Sequence, residues 1–312
     1  MAPMSVMKQR PDQSVIQEVA LATDIAESFV EKDWFVTQAI RAVAEIEHSG
    51  FEVVFSGGTA LSKAHGLLQR FSEDVDFRVV VENSDAGRKA LSNYKHAVVD
   101  ALRQQGFEID DAQVRARDGN RFFAIDLSYE SYFTRAGALR PHVQIEFAVR
   151  DTQLAPVHLP VSSFVSRVGG QETEIESIAC IDPVESAADK LSALAWRIPD
   201  RMRGDQYDDP AVVRHVHDLA MLKDVALGSE KFSGLVKSSM SHDDRRSKNN
   251  LTFSGLPIEE KFGQMLSAFD NDKNYWQEYD QFVRGVSYAQ SAPDFDVAMQ
   301  AVRDLVAVVI KA

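Results

Sequence analysis

Two aspartates, Asp74 and Asp76, stand two residues apart in the run DVDFRVV and give the clearest chemical signal in the chain. Read as a strand, side chains two apart share a face, roughly 6.6 Å apart along it at about 3.3 Å per residue. Val75, Phe77 and Val79 then point the other way, into a core. Upstream, an apolar stretch ending at Phe55 runs into a Gly-Gly-Thr turn and a short helix. A turn without side chains lets backbone amides come close to phosphates. Two carboxylates on one face beside such a turn suggest a nucleotide-plus-magnesium site. Either feature alone is weak, since most D-x-D pairs are solvated strand edges and most Gly-Gly pairs are tight turns. Their order and spacing carry the signal.

The elements that must position these residues follow from periodicity. Residues 13–48 carry apolar positions at helical spacing, read as two helical pieces joined at Glu31-Lys32-Asp33-Trp34. Residues 51–55 form a buried strand leading to the turn. After the D-x-D strand, 85–105 reads as a helix with Asp85 as its cap and Gly106 just past its end. Residues 107–109 make a short strand, and RARDGNR (115–121) carries the Asp-Gly of a hairpin turn. Residues 122–129 and 142–149 alternate as strands. In the second, Gln144, Glu146 and Arg150 share the polar face. A connecting region over 151–178 is broken by Pro156, Pro160 and Gly169-Gly170. Beyond it the pattern is helical. Asp182-Pro183 gives a cap followed by proline at the first helical position, and further helices are expected at 210–223, 229–239, 257–268, 273–283 and 295–310. The run SHDDRRSKNN (241–250) is polar and reads as a mobile connection.

Composition bounds the class. The 312 residues, 45% hydrophobic and 26% charged, are those of a globular chain of one large or two ordinary domains. No stretch approaches the roughly 18 apolar residues of a membrane helix, and MAPMSVMKQRPDQ has no apolar signal core. The single cysteine, Cys180, cannot form an internal disulfide. A reducing cytoplasm is the expected location. The net charge of −13 is awkward for a nucleic-acid enzyme, because phosphate backbones reward a basic surface. It leaves room for a protein acceptor or a basic partner. His65, His215 and His217 have no acidic or cysteine partner at the helical spacing of a zinc motif, so packing or surface roles are expected.

The run GGTALSKAHGLLQRFSEDVDF resembles the nucleotidyltransferase superfamily of DNA polymerase β. Within it, the sequence is similar to the AbiEii/AbiGii-type toxin nucleotidyltransferases, whose signature is approximately GGTxLxK…RxSxDIDF. Gly57, Gly58, Thr59, Leu61, Lys63, Arg70, Ser72, Asp74, Asp76 and Phe77 carry the match. That family also has a helix with K-x-x-A-L-x-x-R followed by R-D-x-x-D-L. Lys190, Ala193, Leu194 and Arg197 match the first, and Arg214, Asp218 and Leu219 match the second. His215 stands where the family usually has aspartate.

The resemblance implies an α/β (α+β) fold: a mixed sheet with flanking helices over residues 1–165, then an α-helical domain over 166–312 that completes the active-site cleft. It implies transfer of a nucleoside monophosphate from a nucleoside triphosphate to an acceptor hydroxyl, with magnesium as one ion or two. Asp74 and Asp76 would hold metal with a third carboxylate from a later strand, for which Glu146 is preferred over Asp126. Gly57, Gly58, Thr59, Lys63, Ser72, Arg197 and Arg214 would bind the nucleotide, Thr59 through its hydroxyl. Lys190 would meet the triphosphate, and Asp218 would orient Lys190 or the acceptor. The family furnishes toxins of type IV toxin–antitoxin and abortive-infection systems, so an antitoxin is the expected partner and tRNA the expected acceptor, with no membrane involved. A protein or small-molecule acceptor, or a non-catalytic binding module on the same fold, are the alternatives.

Overall fold

The structure is a computed structural model, and it describes residues 10–48, 50–81, 87–137, 139–206, 208–246 and 251–312. The chain forms two compact units, Met1–Gly66 with Phe71–Ile181, and Leu67–Arg70 with Asp182–Ala312.

The first unit is built on a seven-stranded mixed sheet. Its elements in chain order are α1 (Gln13–Thr23), α2 (Glu27–Ala44), β1 (Phe51–Ser56), α3 (Gly57–Lys63), β2 (Asp74–Val81), α4 (Arg88–Gln104), β3 (Val114–Arg117), β4 (Phe122–Ser128), β5 (His142–Val149), β6 (Val157–Val161), α5 (Phe164–Val168) and β7 (Ile175–Cys180). The strand order is β3-β4-β5-β2-β1-β7-β6. β2 pairs antiparallel with β1 and parallel with β5, so the D-x-D strand lies inside the sheet.

Register explains why the sheet has one apolar and one chemical face. Phe55, Phe77, Phe147 and Phe123 are aligned across β1, β2, β5 and β4. Their rings stack with successive centroid separations of 5.5, 5.1 and 4.5 Å. Tyr94 of α4 meets Phe123 and Phe147 edge-on. Such cross-strand aromatic pairs stabilise a sheet by roughly 0.2–1 kcal/mol each. Because side chains alternate, the next row points to the opposite face. That row is Ser56, Asp76, Glu146 and Ala124.

Three expectations are corrected here. The first helical pair breaks at Asp24–Ala26, where Asp24 adopts a left-handed φ of 57°, and not at Glu31–Trp34. Glu31, Lys32 and Asp33 are buried inside α2, which costs little because each has a partner elsewhere in the unit. Residues 107–109 form no strand; Phe107 and Ile109 are buried in irregular backbone, with Arg103 donating to the Ile109 carbonyl at 2.8 Å. Residues 151–178 contain β6, α5 and most of β7, and residues 166–181 belong to the sheet unit. Pro160 is tolerated because β6 is an edge strand, needing no amide on its open side. Asp85 lies outside the described residues, and α4 begins after Gly87.

The second unit is helical. It contains α6 (Pro183–Arg197), a 3-10 turn (Pro210–Val213), α7 (Arg214–Leu227), α8 (Phe232–Arg246), α9 (Leu251–Ser254), α10 (Ile258–Asn271), α11 (Asn274–Val286) and α12 (Phe295–Lys311). Asp182 caps α6, accepting from the Val184 amide at 2.8 Å, with Pro183 behind it. α6 packs on α7 and α8, and α12 on α7. Leu191 and Leu194 of α6 with Val216, Leu219 and Leu222 of α7 are fully buried. Residues 241–246 continue α8, and 247–250 lie outside the described residues. No helix among the described residues is long and apolar enough to cross a membrane.

Candidate active site

In the sheet unit, β1 delivers the chain into the Gly-Gly-Thr turn and β2 places Asp74 and Asp76 on the polar face. Gly57 has a φ of +76°, and a Cβ built there would lie 1.9 Å from Asp76 Oδ2. Glycine is therefore required twice, for its backbone conformation and for the room the carboxylate occupies. Ser56 donates to the Asp76 carbonyl at 3.2 Å. Thr59 is buried, and its hydroxyl donates to the carbonyls of Ser72 (3.3 Å) and Asp74. In this structure the hydroxyl ties α3 to the start of β2. Ser72 is half-buried and contributes its carbonyl to that tie. Gly58 lies in the first turn of α3.

Lys63 is likewise engaged within the unit. It is buried and pairs with Asp33 at 2.5 Å, while Asp33 accepts from the Phe164 amide at 2.7 Å. Burial lowers its pKa, opposed by the Asp33 charge. This lysine fastens α3 to α2.

The third carboxylate can be read from register. Glu146 lies directly beside Asp76 on the neighbouring parallel strand, about 4.8 Å away. Asp126 lies in the other polar row, aligned with Gln144, which is aligned with Asp74. That puts Asp126 two strands from Asp74, about 10 Å. Asp126 is also occupied by Arg115, whose guanidinium grips both oxygens. Glu146 is half-buried; burial and the charge of Asp74 raise its pKa, against a 2.5 Å hydrogen bond from Gln144. A carboxylate whose charge is undercompensated has the electrostatic character of a cation ligand.

In the helical unit, Lys190 of α6 and Asp218 of α7 meet at 2.8 Å. Arg70 holds Asp218 through two parallel hydrogen bonds of 2.7 and 2.8 Å. His217 Nδ1 lies 3.4 Å from the same carboxylate. Asp218 is fully buried: burial alone would raise its pKa, but Arg70 and Lys190 hold it well below the usual carboxylate range. Asp218 therefore anchors Lys190. Arg197 and Arg214 both approach Asp209, at 3.3 and 3.4 Å, at the half-exposed surface. Arg197 also lines a cavity of about 610 Å³ with Trp196, Asp200, Arg201 and Asp208. His215 has both ring nitrogens buried without a hydrogen-bond partner. Burial, then the charges of Lys190, Arg214 and Arg197, push its pKa well down, keeping it neutral. His65 Nε2 sits 2.9 Å from the Ile181 carbonyl.

A family model for the AbiEii toxin, a nucleotidyl transferase of type IV toxin–antitoxin systems, matches residues 40–301. The chain belongs to the AbiEii family. It is therefore a nucleotidyltransferase toxin of the type IV class, which implies a nucleoside triphosphate and an antitoxin. Among solved structures it is similar to MenT4, a nucleotidyltransferase toxin from Mycobacterium tuberculosis H37Rv. That likeness has 14% identity, a TM-score of 0.49, and covers 96% of this chain and 99% of the other. No curated protein matches the chain.

Nucleotidyltransferase families imply a divalent metal, and the oxygen-rich donor set of Asp74, Asp76 and Glu146 suits a hard cation. Among the described residues no three His, Cys, Asp or Glu side chains converge as a ready cage. Residues around Asp74 that sequence reasoning missed are Glu73, Gln144, Lys32 and Arg140. Arg140 donates to Asp74 Oδ1 at 2.6 Å and to Gln144 Oε1 at 2.7 Å. The Glu31-Lys32-Asp33-Trp34 run was a visible signal for Lys32, whereas nothing about Arg140, in an irregular segment, marks it in the sequence.

Proposed function

We propose that this AbiEii-family chain transfers a nucleoside monophosphate to a hydroxyl of an RNA acceptor, tRNA above all, in a magnesium-dependent reaction. The observation that carries the reading is the alignment of Asp76 with Glu146, one strand apart, with Asp74 on the same face and Gly57 vacating the space beside Asp76. A divalent ion there would neutralise the charge of the triphosphate and of the attacking and leaving oxygens. The chain's own part is positioning. Gly57 and Gly58 leave the turn backbone open to the phosphates. In the helical unit, Lys190, held by Asp218, is a point charge of the kind that binds phosphate, with Arg214 and Arg197 as further cationic groups. The reaction belongs in the cytoplasm, where triphosphates and RNA are available.

The net charge of −13 favours a second reading, in which the acceptor is a protein side chain or a small molecule. One assay separates them: the protein, magnesium, each labelled nucleoside triphosphate and total tRNA, with Asp74→Ala and Asp76→Ala as controls. Label entering RNA with wild type alone supports the RNA reading and names the nucleotide. Label in protein or a small molecule moves the acceptor. No transfer and no magnesium-dependent nucleotide binding would defeat both.

A further inference from the structure

Asp74 is hydrogen-bonded to a cation that belongs to the protein. Arg140 Nη1 lies 2.6 Å from Asp74 Oδ1, and its Nε lies 3.6 Å from Glu73 Oε1. That guanidinium takes one of the roughly four lone-pair sites of the Asp74 carboxylate and sets a positive charge beside the others. A cation binding at Asp74 must therefore share the carboxylate with that charge or move it.

The main chain of Arg140 is tied to the buried Lys32, while its side chain reaches only part-exposed partners, Asp74, Gln144 and Glu73. The Arg140 amide donates to Glu73 Oε2 at 2.9 Å, and its carbonyl accepts from Lys32 Nζ at 2.8 Å. Lys32 is fully buried and pairs with Glu73, which locks both anchors to α2. The Arg140 side chain is 43% exposed, so it can leave Asp74 by changing rotamer without moving the backbone. Arg70 on Asp218 shows the opposite design: it is 5% exposed and bonded through two parallel contacts. One arginine is built to stay and the other to go.

We propose that Arg140 is a place-holder on Asp74 that yields to the divalent ion and turns to the phosphates of the incoming nucleotide, so that metal loading waits for substrate. The inference rests on reading Asp74 and Asp76 as the metal-binding pair. In its absence a free carboxylate would take up the ion unconditionally. With Arg140 present, the ion meets a positive charge already hydrogen-bonded to Asp74, and the phosphates give a displaced guanidinium a new bidentate partner.

The test is Mn²⁺ binding to the full chain without nucleotide, followed by the unbound-ion EPR signal, for wild type, Arg140→Gln, Arg140→Lys and Asp74→Asn. Arg140→Gln should bind Mn²⁺ about tenfold more tightly than wild type, and Arg140→Lys should fall close to wild type because the charge remains. With an equimolar mixture of the four ribonucleoside triphosphates, Arg140→Gln should raise the apparent KM several-fold with little change in kcat. Mn²⁺ affinity in Arg140→Gln equal to or weaker than wild type, with a native thermal melt, overturns the place-holder while leaving the metal site standing. Wild-type Mn²⁺ affinity in Asp74→Asn removes the metal site itself, and the place-holder with it.

Discussion

The sheet unit and the helical unit each hold a charged cluster, and the two are built to opposite rules. On the sheet, Asp74, Asp76 and Glu146 are half-exposed, and Glu146 is held partly toward its protonated form by burial and by Asp74. In the helical unit a single acid, Asp218, is fully buried and gripped by Arg70 and Lys190, with its pKa driven down. The cation on the first cluster, Arg140, is itself 43% exposed and reaches Asp74 through one oxygen. The second is compensated by buried cations, and its outer ones, Arg197 and Arg214, share one half-exposed acid, Asp209. Charge on the sheet is held loosely, and charge around Asp218 is held tightly. The contrast predicts which substitutions change activity and which change stability.

The sharpest test is Asp76→Asn. Nucleotide transfer should fall about a thousandfold, the scale for losing a charge-positioning group, while the thermal midpoint stays near wild type. A large loss of stability would mean that the sheet cluster also holds the fold and would break the contrast. In the helical unit, Asp218→Asn removes the buried carboxylate that Arg70 and Lys190 share and should cost about 3–5 kcal/mol in urea unfolding. The pH dependence has a definite sign. Because the folded pKa of Asp218 is depressed, its contribution is fully present above the unfolded carboxylate value of about 3.9. It is lost as the pH falls from there through the depressed folded value. Asp218→Asn should therefore show a flatter acid limb than wild type, and an unchanged limb would count against the buried pair.

Smaller effects refine the sheet cluster. Gly57→Ala forces a Cβ against Asp76 at a left-handed φ, so activity should drop about a hundredfold through misplacement of the carboxylate. Full activity in that variant would detach Asp76 from the chemistry. Last come the two candidates for third carboxylate. Glu146→Gln should lower activity about tenfold and shift the magnesium requirement upward. Asp126→Asn, which disturbs only an exposed pair with Arg115, should change stability by less than about 1 kcal/mol and activity by less than twofold. The reverse ranking would exchange their roles.

Much of this was legible in the sequence where a local pattern carries the information. The D-x-D strand is visible because Val75, Phe77 and Val79 alternate with the acids, and the turn is visible because only glycine suits Gly57. The pairing of Lys190 with Asp218 follows from two helical motifs. What stayed hidden depends on contacts between distant positions. Thr59 and Lys63 sit in the motif as if for a ligand, yet the fold uses both internally, on the Asp74 carbonyl and on Asp33. β6 and β7 escaped notice because short strands interrupted by Pro160 and Gly169-Gly170 have no period long enough to read. Arg140 lies in an irregular stretch between β4 and β5, where sequence has no periodicity to interpret. The run Glu31-Lys32-Asp33 looks like a solvated junction because charge in a helix usually means surface, and its burial rests on partners far along the chain.

Those partners set a clock on synthesis. Glu31 waits for the Tyr132 amide, Lys32 for the Arg140 carbonyl, and Asp33 for the Phe164 amide, 131 positions later. The ion-pair partners of the run, Arg10, Glu73 and Lys63, lie within 41 positions, but until the later groups arrive α2 lacks the main-chain hydrogen bonds that complete the burial of these charges. At about 5–20 residues per second, the ribosome needs on the order of ten seconds to supply them. The sheet unit of a nascent chain is consequently unfinished for that interval.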